Sequence, residues 1–281
     1  MKISLYIPTF NSENTIKRCL QSVLNQKLKP DEILIIDNNS TDNTIKLVSD
    51  IKTKSKIPII IIFQKKKGLG NARNLGVKNS KYNYIASVDS DCVANKNWLK
   101  ELTKEFNNPN VAGVCGNLIE TKLNSPADKW RKQHMTQTWG NKKILNPRFL
   151  YGANNIFLKK AINDVGGYNE KFISNSEDVD ISNKFKKKGF NLIYNPSAIC
   201  KHLRQDSLHS ILNNYYRWTF FSYPLPNTFF NLLKRVFIFN PYKILRLILK
   251  DLKNFKIQFI FVDILIGFYC TFQDMKYFFK N

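Results

Sequence analysis

The feature that most constrains the fold is an alternation of β-branched runs and amphipathic stretches through the first third of the chain. Residues 3–7 form a short apolar run closed by Pro8. Ser12 offers a helix cap, and Ile16, Cys19, Leu20, Val23 and Leu24 then recur on one helical face. Residues 33–36 are a second apolar run, and Ser40, Thr41 and Asp42 cap a stretch whose face is Ile45, Val48 and Ile51. Pro58 leads into a third run at 59–63, Gly68 opens a further helix, and residues 84–88 are a fourth run. Strands that alternate with helices predict an α/β fold with a mostly parallel sheet covered on both faces. Such sheets bind ligands beyond the carboxyl ends of their strands. That rule sets Pro8, Thr9, Phe10 and Asn11, then Asp37, Asn38 and Asn39, then Asp89, Ser90 and Asp91 along one edge.

The second half is less regular. Residues 111–119 read as a strand, and 122–146 are polar with two tryptophans, Trp130 and Trp139. Residues 149–155 form a glycine-containing loop, and a short helix over 158–165 stops at Gly166 and Gly167. A second acidic cluster, Glu177, Asp178 and Asp180, opens a helix closed by Gly189. Residues 190–202 supply two short strand-like pieces. No internal repeat or low-complexity linker interrupts the chain.

The acidic pair Asp89 and Asp91 stands out because the chain as a whole is basic. It carries 44 Lys and Arg against 21 Asp and Glu, a formal charge of +23. The excess is spread at nearly the same density over 1–205 and 206–281. It fits either attraction to an anionic partner or a simple compositional bias toward Lys. Two carboxylates one residue apart at a strand end can share a hard divalent cation together with substrate phosphates. Like charges this close are costly without a cation between them. The structural alternative is a solvated turn, where Asp and Ser are favoured.

Four segments in order, IPTFNSENTIKRCLQSVLNQ, PDEILIIDNNSTDNT, KGLGNARNLGV and YIASVDSD, followed by GANNIFLKKAINDVGGYNEKF and SEDVDISNKFKKKGF, resemble the family 2 glycosyltransferases of GT-A fold. The resemblance covers about residues 1–205. It implies a GT-A catalytic domain over 1–205, with a nucleotide-sugar-binding half at 1–118 and an acceptor-binding half at 119–205. It implies nucleotide contacts from Pro8, Thr9, Asp37, Asn39, Gly70, Arg73, Asp89 and Ser90, with Thr9 and Asp37 at the base. For Asp37 the alternative is a turn cap, and for Arg73 a surface salt bridge. The resemblance places Mn2+ or Mg2+ on Asp91, with Asp89 at the ribose or a metal-bound water and His202 near the metal or the diphosphate; for His202 the alternative is a structural histidine. It implies a single inverting displacement with Asp178 as the base and Glu177 beside it. The alternative for Glu177, Asp178 and Asp180 is stabilisation of a helix start. Gly152, Asn154 and Asn155 fall where an acceptor sugar would lie, and Trp130 and Trp139 would either stack on a sugar or pack in a core. The expected donor is a nucleotide-diphosphate sugar, with uridine favoured by Asp37, and the expected acceptor is a glycan or lipid-linked hydroxyl.

Residues 206–281 lie outside the resemblance. Leu232, Leu233, Val236, Phe237, Ile244, Leu245, Leu247, Ile248 and Leu249 are interleaved with Lys234, Arg235, Lys243, Arg246 and Lys250. This basic amphipathic pattern predicts helices lying on an anionic membrane surface. The alternative is a helical pair packed on the catalytic domain or in a homodimer. Residues 259–272 are apolar but short for a membrane span and contain Asp263. The N-terminal decapeptide is too short for a signal-peptide core. The expected location is cytoplasmic, peripheral on the inner face of the membrane. The five scattered cysteines predict buried, reduced thiols. A nucleotidyltransferase is disfavoured because no glycine-rich loop follows the first strand. A nucleic-acid binder is disfavoured by the even spread of charge, so no nucleic-acid partner is expected.

Overall fold

The computed structural model describes residues 1–172 and 175–280. They fall into two compact units: 1–121 with 137–204, and 122–136 with 205–281.

The first unit opens with β1 (Ile3–Thr9), α1 (Ile16–Leu24), β2 (Glu32–Asp37), α2 (Thr44–Lys52), β3 (Ile59–Phe63), α3 (Leu69–Asn79) and β4 (Tyr84–Val88). Every residue of β1 and β2 is buried. That is why these runs are apolar throughout rather than alternating: both faces are covered. β1 pairs in parallel with β2 and β4, and β2 with β3. Leu5, Ile7, Ile33 and Ile35 face one way, against Cys19, Leu20 and Val23 of α1. Tyr6, Leu34 and Ile36 face the other way, with Ala72 and Val77 of α3. This is the period-two pattern of a strand resolved into two cores.

The unit continues with β5 (Cys92–Ala94), α4 (Trp98–Thr103) and β6 (Val111–Glu120). The chain then leaves it through α5 (Pro126–His134) and returns with β7 (Ile144–Leu145), β8 (Asn154–Leu158), α6 (Lys159–Asp164), α7 (Glu177–Lys187) and β9 (Asn191–His202). The strand order is β3-β2-β1-β4-β8-β6-β9-β5, with β7 against β9. β8 runs antiparallel to both β4 and β6, so the sheet is mixed in its second half. The two strand-like pieces expected over 190–202 are one strand, β9. Its register against β6 shifts between Cys115 and Asn117, opposite the stretch holding Pro196, where a missing N–H breaks the ladder without ending the strand. All five cysteines are buried and free.

The second unit combines α5 with α8 (Leu208–Thr219), α9 (Phe229–Lys234), a π turn at Arg235–Phe239, α10 (Asn240–Lys253) and α11 (Ile260–Lys280). Ser125 and Asp128 form a capping box that starts α5 on Pro126. From the sequence, 122–136 belong to the acceptor half of the catalytic domain. The structure instead packs Ala127, Trp130 and Met135 with Ile211, Leu247, Val262, Ile266 and Cys270. Trp130 is therefore a core residue rather than a sugar platform. The helical run Ile257–Lys280 has 24 residues and a mean hydropathy of 1.3, with 39% of its apolar window buried. It is longer than the short apolar segment read from the sequence. Asp274 does not end it, because Arg235 Nη1 donates to its carboxylate at 2.7 Å. By length and composition alone this helix is long and apolar enough to cross a membrane.

Candidate functional site

The three strand ends meet as the sheet rule requires. Thr9 and Asp37 are register partners on β1 and β2. Both are buried, and each holds one buried oxygen, Thr9 Oγ1 and Asp37 Oδ1, without a hydrogen-bond partner. The other Asp37 oxygen accepts the backbone N–H of Ser40 at 3.1 Å. Asn11 and Asn39, just past the strand ends, take the left-handed backbone with φ of 45° and 62°, which asparagine tolerates better than most residues. The hydroxyls of Ser12 and Ser90 meet at 2.8 Å, joining the first strand end to the Asp89–Asp91 turn. Pro8, in β1, is buried in the sheet.

Asp89, Ser90 and Asp91 form the turn between β4 and β5. Behind them Arg73 of α3 is 1% exposed. It donates from Nε to Glu177 Oε1 at 3.1 Å, from Nη1 to Ser87 Oγ at 3.3 Å and from Nη2 to Asp89 Oδ1 at 3.4 Å. The guanidinium thus ties the acidic turn to the start of α7. Burial raises the Asp89 carboxyl above its ordinary pKa; Arg73 opposes that and Asp91 adds to it. Gly152 is why the three can come so close. A Cβ there would lie 2.5 Å from Arg73 Nη2 and 3.3 Å from Glu177 Oε1.

The Gly152 N–H donates to Asp178 Oδ2 at 3.2 Å, and the Val179 N–H donates to Oδ1 at 2.8 Å. Burial and then the neighbouring Glu177 push the Asp178 carboxyl up to about 7, while Arg73 pulls the other way. Ser176, directly before α7, has a left-handed φ of 76°. Strain of this kind collects at functional sites.

His202 ends β9 beside Cys92 of β5. Its Nε2 lies 3.0 Å from Asp91 Oδ2, and its Nδ1 lies 2.9 Å from Glu120 Oε2. Burial disfavours the charged ring, but the Asp91 and Glu120 carboxylates outweigh it and push its pKa up to about 9. Ligand atoms of Asp91, Cys92 and His202 lie within 4.8 Å of one another. The oxygen and nitrogen donors of Asp91 and His202 fit a hard or borderline cation such as Mn2+. A cation there would displace the Nε2 proton, and Glu120 on Nδ1 would then hold the lone pair toward it, as outer-shell carboxylates do. The Cys92 thiol is held well above its usual pKa by burial and then by Asp91, and does not suit a hard cation.

Several expected residues sit elsewhere. Asn154 is fully buried: its Oδ1 accepts from Trp98 Nε1 at 2.5 Å and its Nδ2 donates to the Asn117 and Ala198 carbonyls, both at 3.1 Å. Asn155 donates inward to the Tyr151 and Gly152 carbonyls at 2.9 and 2.8 Å. Both amides hold the loop and sheet together; Asn154 is fully used in doing so, while Asn155 keeps a buried Oδ1 without a hydrogen-bond partner. β8 runs through this segment and turns them inward. Gly70 packs against the Asn169 carbonyl, 2.7 Å from where a Cβ would stand, so its role is a close helix–loop approach. Trp139 is half-buried, donates to the Phe149 carbonyl at 3.0 Å and stacks on Tyr151. Glu120 went unread in the sequence. Only its register position opposite His202 marks it.

The glycosyl transferase family 2 model matches residues 4–170. The poly-beta-1,6-N-acetyl-D-glucosamine synthase of Staphylococcus aureus (strain MSSA476) is 29% identical over 224 residues, 77% of this chain and 53% of that protein. The chain therefore spans about half the length of the curated relatives it matches. The mannosyltransferase PcManGT from Pyrobaculum calidifontis, solved with GDP-Man and Mn2+, superposes with a TM-score of 0.60 at 16% identity, covering 77% of this chain and 61% of that one. Staphylococcus aureus TarS 1-349, solved with UDP-GlcNAc, gives 0.60 at 19% identity, covering 77% and 64%. These likenesses establish the GT-A fold, and with the match over 4–170 the chain belongs to glycosyl transferase family 2.

Proposed function

We propose that this chain transfers a sugar, with inversion, from a nucleotide-diphosphate sugar to a glycan or lipid-linked hydroxyl in polysaccharide or glycoconjugate synthesis. The observation that carries the proposal is Arg73, which ties Asp89 to Glu177 and so sets the acidic turn and the Glu177–Asp178 pair around one centre. The unpartnered oxygens of Thr9 and Asp37 are acceptors suited to the N–H edge of a pyrimidine, which favours a UDP-sugar. Ser90 and Asp89 line the same edge, toward the ribose. Asp91 and His202 would hold Mn2+ or Mg2+, which supplies Lewis-acid neutralisation of the departing diphosphate.

Asp178 takes the proton of the acceptor hydroxyl as its oxygen bonds to the anomeric carbon. The bond from that carbon to the diphosphate breaks on the opposite side, and the diphosphate leaves with the electron pair. A carboxyl raised to about 7 is a better proton acceptor than an ordinary aspartate once ionised. The Gly152 N–H fixes its orientation. Replacing Asp178 with Asn should leave donor binding intact and remove transfer. Full transfer in that variant would sink the assignment.

The second unit supports a membrane-surface role. All its acids, Asp128, Asp206, Asp251, Asp263 and Asp274, are buried, so the exposed charge of its described residues is basic. Alongside stand exposed apolar side chains: Tyr242, Leu245, Leu249 and Leu252 on α10, and Phe261, Ile264, Phe268, Phe272 and Phe279 on α11. Their spacing puts each set on one helical face, and the pattern suits anionic lipid. Sedimentation with anionic but not neutral vesicles is the expected result. Equal recovery with both would remove the charge argument.

A further inference from the structure

We propose that His134, Asp251 and Asp263 bind one divalent transition cation, zinc by preference, at a site in the helical unit separate from the transfer centre. The three come from the last residue of α5, the end of α10 and the first turn of α11. A ligand atom from each lies within 4.8 Å of the others. The His134 and Asp251 side chains are fully buried, as is Asp263.

Three observations favour a cation over a simple ion pair. First, His134 Nε2 approaches Asp251 Oδ1 to 2.8 Å, yet neither atom makes a hydrogen bond. The oxygen lies off the ring N–H direction, as when two donors aim at a common third point. Second, no N–H donor among the described residues reaches either Asp251 oxygen or Asp263 Oδ2, all of them buried, and the two carboxyls stand within hydrogen-bond reach of each other. Two buried carboxylates this close are costly unless a proton or a cation lies between them, and a dication would balance both. Third, the surroundings are those of an oriented ligand set. Trp130 Nε1 donates to Asp263 Oδ1 at 2.8 Å, leaving Oδ2 free to ligate. The Trp130 ring stacks on His134 with centroids 4.6 Å apart, fixing the imidazole plane. Phe259 meets the other ring edge-on. The nearby Lys250 ammonium is drawn away to the Gln133 carbonyl at 2.5 Å.

One nitrogen and two carboxylate oxygens are a donor set that zinc takes, with a fourth position left for water. Bound there, it would clamp α5, α10 and α11 together.

The test uses the full chain carrying Asp91→Ala, so that the transfer site contributes no cation binding. Co2+ is titrated while the visible d–d absorption is followed, Zn2+ is then added in competition, and Tm is read with and without chelator. The proposal expects one Co2+ per chain with a tetrahedral-type spectrum, displaced by Zn2+, and a Tm lowered by chelator and restored by Zn2+. Asp263→Asn keeps the oxygen that Trp130 needs, and His134→Gln keeps the volume of the ring's inner part. Each should weaken binding by more than about 100-fold, the upper end of what loss of an outer-shell partner does. A featureless titration with a Tm indifferent to chelator would overturn the site and leave a buried imidazole–carboxylate cluster. Binding unchanged in both variants would overturn it as well.

Discussion

Replacing Arg73 with Met tests the arrangement at the centre of the site. The guanidinium is 1% exposed and stands between Asp89, whose side chain is 29% exposed, and Glu177, at 3%. Methionine fills most of the space but leaves both carboxylates and Ser87 without their donor. Removing one partner of a buried pair costs about 3–5 kcal/mol. For a unit of this size, where each kcal/mol moves Tm by roughly 2–4 °C, Tm should fall by roughly 6–20 °C. The partial exposure of Asp89 argues for the lower half of that range. The loss should also depend on pH. Asp89 already sits above its ordinary pKa because burial outweighs Arg73, and without Arg73 it rises further. A carboxyl whose folded pKa exceeds its unfolded pKa favours the fold while protonated, and that advantage is lost as pH rises through the folded value. The deficit of Arg73→Met should therefore be largest at pH 8 and shrink toward pH 5. Arg73→Lys keeps the charge but not the three-way fork, and should fall between. Paired thermal unfolding at the two pH values is the assay. A deficit under about 1 kcal/mol, or one equal at both pH values, would refute the account of Arg73 as a buried tie.

Gly152→Ala sets a methyl 2.5 Å from Arg73 Nη2 and 3.1 Å from its Cζ. It should cost about 1–3 kcal/mol in stability, measured by denaturant unfolding, and lower kcat more than it raises KM. As the proposed base, Asp178 must be ionised for transfer. With its pKa near 7 in the free protein, kcat/KM should fall about tenfold for each pH unit below that value; a kcat/KM flat from pH 5 to 8 would contradict the base assignment. Asn154→Ala removes three internal hydrogen bonds and strands Trp98 Nε1. It should destabilise by about 2–4 kcal/mol in thermal unfolding while leaving the acceptor KM unchanged.

The parallel half of the sheet was legible because its strands are buried on both faces and separated by helices of clear period. The same regularity made the Asp89–Asp91 turn stand out, since it falls at the carboxyl end of a buried strand in a chain that is otherwise strongly basic. What escaped the sequence depends on long-range register. Glu120 meets His202 across 82 positions of chain only because β6 and β9 pair in parallel. Trp130 finds Asp263 133 residues on, so a polar stretch that read as part of the catalytic unit is core to the helical one. Asn154 and Asn155 in a glycine-containing loop read as ligand-facing. β8 begins there, and strand pairing turns both amides inward. The length of α11 was hidden by Asp263 and Asp274, which look like breaks in an apolar run until Trp130 and Arg235 are seen to meet them.

The central claim is that the edge running from Thr9 and Asp37 to Asp91 and His202 binds a nucleotide diphosphate through a divalent cation. Calorimetric titration of UDP, GDP and dTDP, with and without Mn2+, on the wild-type chain and on Asp91→Ala, tests it directly. The account predicts tight binding of one nucleotide, UDP foremost, that requires Mn2+ and is lost in Asp91→Ala. Binding of none of the three with Mn2+ present, or equal binding with and without it, would contradict the claim.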